Sequence, residues 1–406
     1  MTATEPGPLA GLRVIEIGHY VAAPFCARLL ADLGADVIKV EPLDGDPVRQ
    51  WGIQANGHSA WFSQHGRNKR SIALDLKHQD AARLVRGLCA SADAMVENFR
   101  PGQLARLGLG DDVLRAARPG LIIAHVSGFG QDGPYRDRAA FGVIGEAIGG
   151  LRYLTNNPPG INDLPPARVG ISIGDSIAGL YAAYGIVAAC WQRDRHDDGR
   201  GRTLDIALTE AMLGMMEGLI PDYGASGVVR QPVGSRIPTA APSNAYPTRD
   251  GSWILIAANS DPLFARMARL IGKPALIEDE RFKGNQHRVA NTEALDLEIA
   301  AWTIEHNATD IEHLFVEADI PCSRVFTASD IAHDPQFRER GMILPVDDPL
   351  TGPTLHTGVV PRIPECGSGI RWPGPRIGQH TDEVLTGLLG LDDREVSRLR
   401  EEGVIR

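Results

Sequence analysis

Residues 12–41 constrain the fold of this chain more than any other stretch. A short apolar run ends at Gly18, a helical pattern follows over 24–33, and β-branched residues fill 36–41. Strand, helix and strand in succession predict a right-handed βαβ crossover, which requires a parallel sheet. The chain is therefore expected to contain an α/β domain.

The same alternation continues along the chain. Short apolar strands are predicted within 68–75, 94–102 and 121–127, with a helix over 79–92. Strands that alternate with helices favour a Rossmann-like, doubly wound parallel sheet. The segment after Gly18 is not the GxGxxG pattern of dinucleotide-binding proteins, and Tyr20 and Val21 would block a pyrophosphate. We therefore expect the Rossmann-like fold without NAD.

The texture of the sequence changes at about residue 224. Residues 233–247 are irregular and rich in proline, which indicates a connector. A strand is predicted at 253–258, and helices at 261–271, 290–306 and 308–318. This pattern predicts a large domain over 1–223, a smaller α+β domain over 224–325, and a C-terminal part, 326–406, that returns to the large domain.

Composition excludes several classes of function. A formal net charge of −10 over 406 residues argues against a nucleic-acid partner, since phosphate binding needs a basic surface. Five scattered cysteines without CxxC spacing indicate a reducing compartment and neither a disulfide framework nor a zinc site. We find no signal peptide and expect no apolar stretch long enough to span a membrane. The predicted location is the cytoplasm.

Asp175 is the first candidate for chemistry. It ends a glycine-containing run and precedes a helix predicted over 176–189. A helix N-terminus presents unpaired backbone N–H groups and a positive dipole end, which suits an anion or a nucleophile. The same pattern also fits a simple N-cap, so the residue pattern alone leaves both interpretations open.

Polar residues near the strand ends form a second candidate group. Lys69 and Arg70 stand at a strand start and suit a phosphate, or else lie in a solvated turn. Asn98 and Phe99 fall at the carboxyl end of a strand, where ligands of open α/β sheets bind. Phe99 is expected either to stack on a nucleobase or to join the core.

Nine segments, in this order, resemble the family III CoA-transferases, also called the CaiB/BaiF type. They are IEIGHYVAAP, LADLGADVIKVE, NKRSIALD, VENFRPG, ARLGLG, VSGFGQDGPY, GISIGDSIAGLYAA, GRGRTLDIAL and IGQHTDEVL. The family includes formyl-CoA, carnitine and succinyl-CoA-dependent dicarboxylate enzymes. Each segment alone is weak, but nine in register over about residues 9–390 indicate homology.

The resemblance implies an aspartate nucleophile, and Asp175 occupies its position. The carboxylate would attack an acyl-CoA thioester and then carry CoA as an aspartyl thioester, with no ATP, metal or permanently bound cofactor. The resemblance also implies an interlocked homodimer. The positions that match the family's coenzyme A contacts are His19, Lys69, Arg70, Asn98, Phe99 and Arg106.

Departures from the family pattern reduce the number of reactions that we expect of this chain. Formyl-CoA transferase has a glutamine where this chain has Val21, and its glycine flap has no counterpart here, so formyl and oxalyl transfer are disfavoured. The racemase branch uses a His-Asp pair in the segment that corresponds to residues 140–142, where this chain has no proton-transfer group. Glu146 is an accessory candidate or a surface helix residue. Arg236 is a candidate clamp for an acceptor carboxylate or an ordinary loop arginine.

These observations predict a CoA-transferase that moves coenzyme A from an acyl-CoA to a small carboxylic acid. Succinyl-CoA is the expected donor, and a dicarboxylic or hydroxy-dicarboxylic acid is the expected acceptor. Two alternatives stay open: an acyl-CoA isomerase of the same superfamily, and a non-catalytic CoA-binding dimer.

Overall fold

A computed structural model describes residues 6–196 and 198–406. The chain divides into two compact units. The first comprises Met1–Arg152, Val169–Gly224 and Gln336–Arg406, and the second comprises Tyr153–Arg168 and Ala225–Pro335. The domain limits given above stay predictions.

The described residues form thirteen strands and eighteen α-helices. The strands are β1 (Arg13–Ile17), β2 (Asp36–Glu41), β3 (Gln54–Ala55), β4 (His58–Ser59), β5 (Lys69–Ala73), β6 (Ala94–Glu97), β7 (Ile122–Ser127), β8 (Thr203–Ala207), β9 (Ser243–Pro247), β10 (Trp253–Ala257), β11 (Cys322–Arg324), β12 (Ile343–Asp348) and β13 (Gly352–Thr357). The helices are α1 (Ala22–Asp32), α2 (Ala60–His65), α3 (Ala81–Ala90), α4 (Gln103–Arg106), α5 (Asp111–Ala117), α6 (Gly142–Ile148), α7 (Leu151–Leu154), α8 (Ile173–Arg193), α9 (Leu208–Leu213), α10 (Leu219–Ser226), α11 (Asp261–Leu270), α12 (Asn285–Ala290), α13 (Thr292–Thr303), α14 (Ala308–Glu317), α15 (Ala328–His333), α16 (Pro335–Glu339), α17 (Thr381–Leu389) and α18 (Asp393–Glu401).

The large sheet of the first unit has the order β5-β2-β1-β6-β7-β8. Every neighbouring pair in it is parallel, which confirms the predicted doubly wound α/β fold. The strand order reverses between β1 and β6. From β1 the sheet extends through β2 and β5 on one side and through β6, β7 and β8 on the other. In open α/β sheets the crevice beyond the carboxyl ends at such a reversal is the usual ligand site.

Helices cover both faces of this sheet. Successive strand residues point to opposite sides, so each strand contributes to two cores. In β1, Val14 belongs to the core beneath α1 and α8, whereas Ile15 belongs to the core beneath α3. The C-terminal helices α17 and α18 add Leu385 and Leu399 to the second of these cores. The tail of the chain therefore completes one face of the sheet.

Helix α8 corrects the expectation that no apolar stretch could span a membrane, since its length and composition suffice. Small residues lie along its buried face, including Ala178, Gly179 and Ala182. A Cβ on Gly179 would lie 2.6 Å from the carbonyl oxygen of Ala22, so only glycine permits this approach to α1. The helix thus packs closely on α1 in the core.

The second unit contains an antiparallel sheet with the order β11-β10-β9. Residues 233–247 were expected to be an irregular connector, but the last five of them form β9. Pro247 is tolerated there because β9 lies at the edge of the sheet. The predicted helix over 290–306 is present as α13, and its Ile299 packs in a core with Phe264 and Phe315.

Candidate active site

Asp175 lies in the first turn of α8 and is half-buried. The helix begins at Ile173, three residues earlier than the sequence pattern predicts, and Ser172 holds the N-cap position. The interpretation of Asp175 as the N-cap is therefore wrong. Its carboxylate instead belongs to the turn whose backbone N–H groups lack partners within the helix and carry the positive end of the dipole.

Two glycines allow the start of α6 to meet the start of α8. A Cβ on Gly142 would lie 2.2 Å from Oδ2 of Asp175, and a Cβ on Gly174 would lie 2.6 Å from the carbonyl oxygen of Gly142. Neither distance is compatible with a side chain. Gly142, in the segment that corresponds to the racemase pair, therefore brings backbone rather than a titratable group to the Asp175 carboxylate.

Three predicted coenzyme A residues meet where the strand order reverses. The backbone N–H of His19 donates to Oδ1 of Asn98 at 2.9 Å, and Nδ2 of Asn98 donates to the His19 carbonyl at 2.8 Å. The Phe99 ring packs edge-on to the His19 ring, with centroids 5.3 Å apart. Phe99 also packs on the core, so both of its expected roles are compatible with its position. Burial lowers the pKa of His19, which favours a neutral ring.

The three predicted cations are placed differently. Lys69 is 1% exposed, and its Nζ lies 2.8 Å from Glu16 and donates to the Pro24 carbonyl at 2.7 Å. This interior position speaks against the expected direct contact with phosphate. Arg70 is held by Asp36 and Glu383, at 2.7 and 3.0 Å.

Arg106 is the predicted cation that faces solvent. It ends α4, and its Nη1 lies 3.8 Å from where a Cβ on Gly102 would stand. Nη2 of Arg136 lies 3.6 Å from the same point. The two guanidinium groups therefore flank the loop after β6, close to the edge where His19 and Asn98 meet. The sequence did not indicate Arg136, because it is distant from Arg106 in the chain and lies in none of the family segments.

A buried cluster of six charged side chains lies under the loop after β1. Nζ of Lys39 donates to Glu16 at 2.6 Å and to Asp46 at 2.8 Å, and the backbone N–H of Tyr20 donates to Asp46 at 3.0 Å. Although burial opposes it, these carboxylates raise the pKa of Lys39. Three cations and three carboxylates make this balanced cluster neutral: Lys39, Lys69, Arg49, Glu16, Glu41 and Asp46.

A second buried cluster, the Asp32 cluster, joins Asp32 to Arg67 and Arg28. Arg67 binds Asp32 through two nitrogens, at 2.6 and 2.9 Å. Nε of Arg28 lies 4.0 Å from the same carboxylate. This cluster contains two cations and one carboxylate, so it carries a formal charge of +1.

A cavity of about 400 Å³ opens beside the first turn of α8. Ser172 and Ser176, which bracket Asp175 in sequence, line it on one side, and Arg28 lines it as well. Trp51 and Trp61 also line it, and their rings stack with centroids 5.2 Å apart. The cavity therefore combines an aromatic wall, a cation and the start of the helix that carries Asp175.

The aromatic wall continues on both sides of the tryptophans. Trp61 stacks on His65, and Trp51 contacts Tyr20, each with centroids 5.3 Å apart. Tyr20 in turn packs edge-on to Phe141, the residue before Gly142. Burial and the nearby Lys69 hold the pKa of His65 well below its usual value, so the ring is neutral. The sequence motifs did not indicate Trp51 or Trp61. Two tryptophans in the short segment between β2 and β5 were the one sign of an aromatic site there.

The two predicted substrate residues, Glu146 and Arg236, lie in different units of the chain. Glu146 is fully buried in α6, with Oε2 3.7 Å from Nε of Arg152, so the surface interpretation of Glu146 is wrong. Arg236 belongs to the second unit and donates to Asp296 at 2.8 Å. The Tyr246 hydroxyl donates to the same carboxylate at 2.7 Å. The proposed substrate roles of Glu146 and Arg236 stay predictions.

Among the residues that the structure describes, no group of three or more His, Cys, Asp or Glu could hold a metal ion. The five cysteines are free thiols. The expectation that no cofactor is permanently bound stays a prediction.

Comparison with known proteins places this site in context. The sequence profile of CoA-transferase family III matches residues 9–381. The chain is 46% identical to succinyl-CoA–D-citramalate CoA-transferase of Chloroflexus aurantiacus over 402 residues, which cover 98% of each chain. It is 37% identical to the β subunit of succinyl-CoA–L-malate CoA-transferase of that organism, again over 98% of each chain. A crystal structure of a CaiB/BaiF family protein from Brucella suis superposes with a TM-score of 0.84 at 34% identity, covering 95% of this chain and 100% of that one.

Proposed function

The chain belongs to CoA-transferase family III, and we propose that it moves coenzyme A from succinyl-CoA to a small dicarboxylic acid through Asp175. The observation that carries this proposal is the position of Asp175 in the first turn of α8, against Gly142 and between Ser172 and Ser176, which line the cavity. The enzyme class follows from the relatives, whereas the covalent route and the substrates are our proposal.

The reaction begins when a carboxylate oxygen of Asp175 attacks the thioester carbonyl. The C–S bond breaks, and the products are a mixed anhydride on Asp175 and the coenzyme A thiolate. The thiolate attacks the aspartyl carbonyl and releases the donor acid as its carboxylate. The acceptor carboxylate then attacks the aspartyl-CoA thioester, the C–S bond breaks, and a second mixed anhydride and the thiolate form. The thiolate finally attacks the acceptor carbonyl of this anhydride, which gives the acceptor acyl-CoA and frees the Asp175 carboxylate. The thioester energy is conserved throughout, so the scheme needs no nucleotide.

The surroundings of Asp175 suit this scheme. Unpaired N–H groups at a helix N-terminus stabilise the negative charge that develops on the tetrahedral oxygens. Gly142 and Gly174 keep the two backbones close, and a methyl group at position 142 would collide with the attacking carboxylate. The neighbouring cavity provides space for the acyl group.

We place coenzyme A at the edge where the strand order reverses. His19, Asn98 and Phe99 meet there, and the guanidinium groups of the exposed Arg106 and the half-buried Arg136 flank the next loop. Phosphate groups suit paired arginines, and an adenine ring suits an aromatic neighbour. Lys69 supports this edge from inside rather than by touching phosphate.

The relatives guide the choice of substrates. Two of them are described as transferases that use succinyl-CoA and either D-citramalate or L-malate. We therefore propose a hydroxy-dicarboxylic or dicarboxylic acceptor for this chain. We also propose a homodimer, supported by exposed apolar side chains along α8, among them Leu180, Tyr184 and Trp191. The cytoplasm is the proposed location, in keeping with the free thiols.

The variant Asp175→Asn tests the mechanism, because it keeps the shape of the side chain and removes the nucleophile. We expect CoA transfer from succinyl-CoA to fall at least about 10³-fold, as for other residues that act as the covalent centre. The affinity for coenzyme A, measured by calorimetry, should stay within about threefold of the wild type, or about 0.7 kcal/mol.

The matched control is Asp382→Asn, which changes an exposed first-turn aspartate of α17. It should leave transfer unchanged. Undiminished transfer by Asp175→Asn would overturn the mechanism. Binding of coenzyme A without transfer by the wild type would instead favour a non-catalytic binding protein, and deuterium exchange at the α-carbon of an acyl-CoA would favour an isomerase.

A further inference from the structure

We propose that Arg28 is a specificity residue whose guanidinium group binds the second carboxylate of a dicarboxylic substrate while the first carboxyl group reacts at Asp175. This inference rests on the proposed function and adds the class of acid that the cavity accepts. Arg28 lines the same cavity as Ser172 and Ser176, the neighbours of Asp175.

The carboxylate nearest to Arg28 is already occupied. Asp32 accepts two hydrogen bonds from Arg67, at 2.6 and 2.9 Å, and one from Nδ2 of Asn68 at 2.9 Å. Nε of Arg28 stands 4.0 Å away, beyond hydrogen-bond distance. Within the described parts of the chain, that buried Nε has no hydrogen-bond partner. Buried charged donors are normally satisfied, so a ligand that accepts from Arg28 fits this gap.

The other neighbours do not balance this charge. Burial lowers the pKa of Arg28, and the attraction of Asp32 opposes this shift while repulsion from Arg67, the second cation of the Asp32 cluster, adds to it. A guanidinium group nevertheless stays protonated in proteins. The neighbouring His65 is neutral, and the carboxylates of the balanced cluster are matched by its own cations. An anion that enters the cavity therefore meets one uncompensated positive charge.

The position of the guanidinium group suits a carboxylate. Its central carbon lies 4.6 Å from the centroid of the Phe25 ring, and the side chain is 13% exposed. Stacking on a ring holds the planar group and leaves its edge to bind a carboxylate through two parallel hydrogen bonds. The guanidinium group of Arg28 thus combines an edge that can bind a carboxylate with access from the cavity.

The remaining walls suit a short carbon chain. Val21, Trp51 and Trp61 offer apolar surface. A volume of about 400 Å³ is at the small end of ligand cavities, as expected for an acid of a few carbons. A monocarboxylic acyl group of equal length would fill the same space but leave Arg28 without a partner. Sites built to bind a polar group reject analogues that lack it far more strongly than they reject a missing methylene.

The test compares two thioesters with four-carbon acyl chains, succinyl-CoA and butyryl-CoA. Single-turnover loading of Asp175 is measured by mass spectrometry for the wild type, Arg28→Gln and Arg28→Lys. We expect the wild type to load from succinyl-CoA at least about 10²-fold faster. Arg28→Gln should lose that preference through a slower succinyl reaction, with butyryl loading changed less than about threefold. Arg28→Lys, which keeps the charge but not the fork, should lie between them.

Arg86→Gln is the matched control, because this exposed arginine of α3 donates to the carbonyl of Ala82 in its own helix and lines no part of the cavity among the described residues. It should keep the wild-type preference. Equal loading by both thioesters in the wild type, or an unchanged preference in Arg28→Gln, would overturn the role of Arg28 and leave the proposed function standing. A failure of every thioester to load Asp175 would overturn the proposed function and this inference together.

Discussion

The two buried charge clusters differ in their balance of charge, and this difference separates structural support from ligand recognition. The balanced cluster contains three cations and three carboxylates, and it holds the loop through the Gly18 carbonyl and the Tyr20 N–H group. The Asp32 cluster contains two cations for one carboxylate, and its spare cation, Arg28, faces a cavity. Burying an ion pair is costly, and burying an unpaired ion more so. We therefore assign the balanced cluster to architecture and the unbalanced one to binding.

This contrast also explains why Lys69 and Arg28 differ in their assigned roles. Lys69 belongs to a motif shared with the CoA-transferase family, yet its charge is used by Glu16 inside the fold. No sequence motif singled out Arg28, yet its buried Nε has no hydrogen-bond partner among the described residues. The partner of a cation, rather than its presence in a motif, decides what it does.

The largest expected effect is on the balanced cluster. Lys39→Met would leave the carboxylates of Glu16 and Asp46 buried without their common partner. We expect the free energy of unfolding to fall by about 3–5 kcal/mol, measured by urea denaturation. Lys77→Met, at an exposed position, should change it by less than about 0.5 kcal/mol. Similar stability of Lys39→Met and the wild type would break the proposed distinction between the clusters.

Within the Asp32 cluster the two arginines should respond differently to the same substitution. Arg67→Met removes both hydrogen bonds to a buried carboxylate, and we expect a loss of about 3 kcal/mol. Arg28→Met removes a cation without a close partner, so we expect a change within about 1 kcal/mol, in either direction. The free energies of unfolding of the two variants are to be measured side by side. Equal losses would show that Arg28 is as structural as Arg67.

Gly142→Ala should affect catalysis more than folding. Its new methyl group would lie 2.2 Å from Oδ2 of Asp175 and force the carboxylate aside. A displacement of about 1 Å at a reacting group costs roughly 10²-fold in rate, or about 2.7 kcal/mol. We expect kcat to fall by that factor. Gly387→Ala is the control, since a Cβ there meets nothing within 4 Å; wild-type kcat in both variants would contradict the assigned geometry.

The smallest expected effect comes from His125, one titratable cation between two carboxylates. Its ring nitrogens lie 2.5 Å from Glu97 and 3.0 Å from Asp111. Burial alone would lower the pKa of His125, but these hydrogen bonds raise this pKa to about 10. Because that value exceeds the roughly 6.5 of an unfolded histidine, the contribution to stability is complete below about pH 6.5 and is lost as the pH rises toward 10.

We therefore expect the free energy of unfolding to fall by the order of 1 kcal/mol between pH 7 and pH 8.5, measured by urea denaturation at both values. His125→Gln should flatten this dependence. A slope that survives in the variant would mean that another group is responsible.

Local patterns predicted the parts of the fold that are local. The βαβ unit follows from periodicity, and the place of Asn98 and Phe99 follows from the rule on the carboxyl ends of parallel strands, whereas His19 came from the family resemblance alone. The start of α8 was misjudged because Asp175 and Ser172 are both good cap residues, and only the backbone decides between them. The cavity was not predicted, because Arg28, Trp51 and Trp61 are assembled from separate segments by packing.

The most direct test of the account is mass spectrometry of the intact protein after incubation with succinyl-CoA. Borohydride or hydroxylamine then traps the aspartyl thioester, and peptide mapping locates the product. We predict a single trapped product on Asp175 that is absent from Asp175→Asn. Transfer in the same tube with no trapped product, or with a product on another residue, would contradict the claim that Asp175 carries coenzyme A.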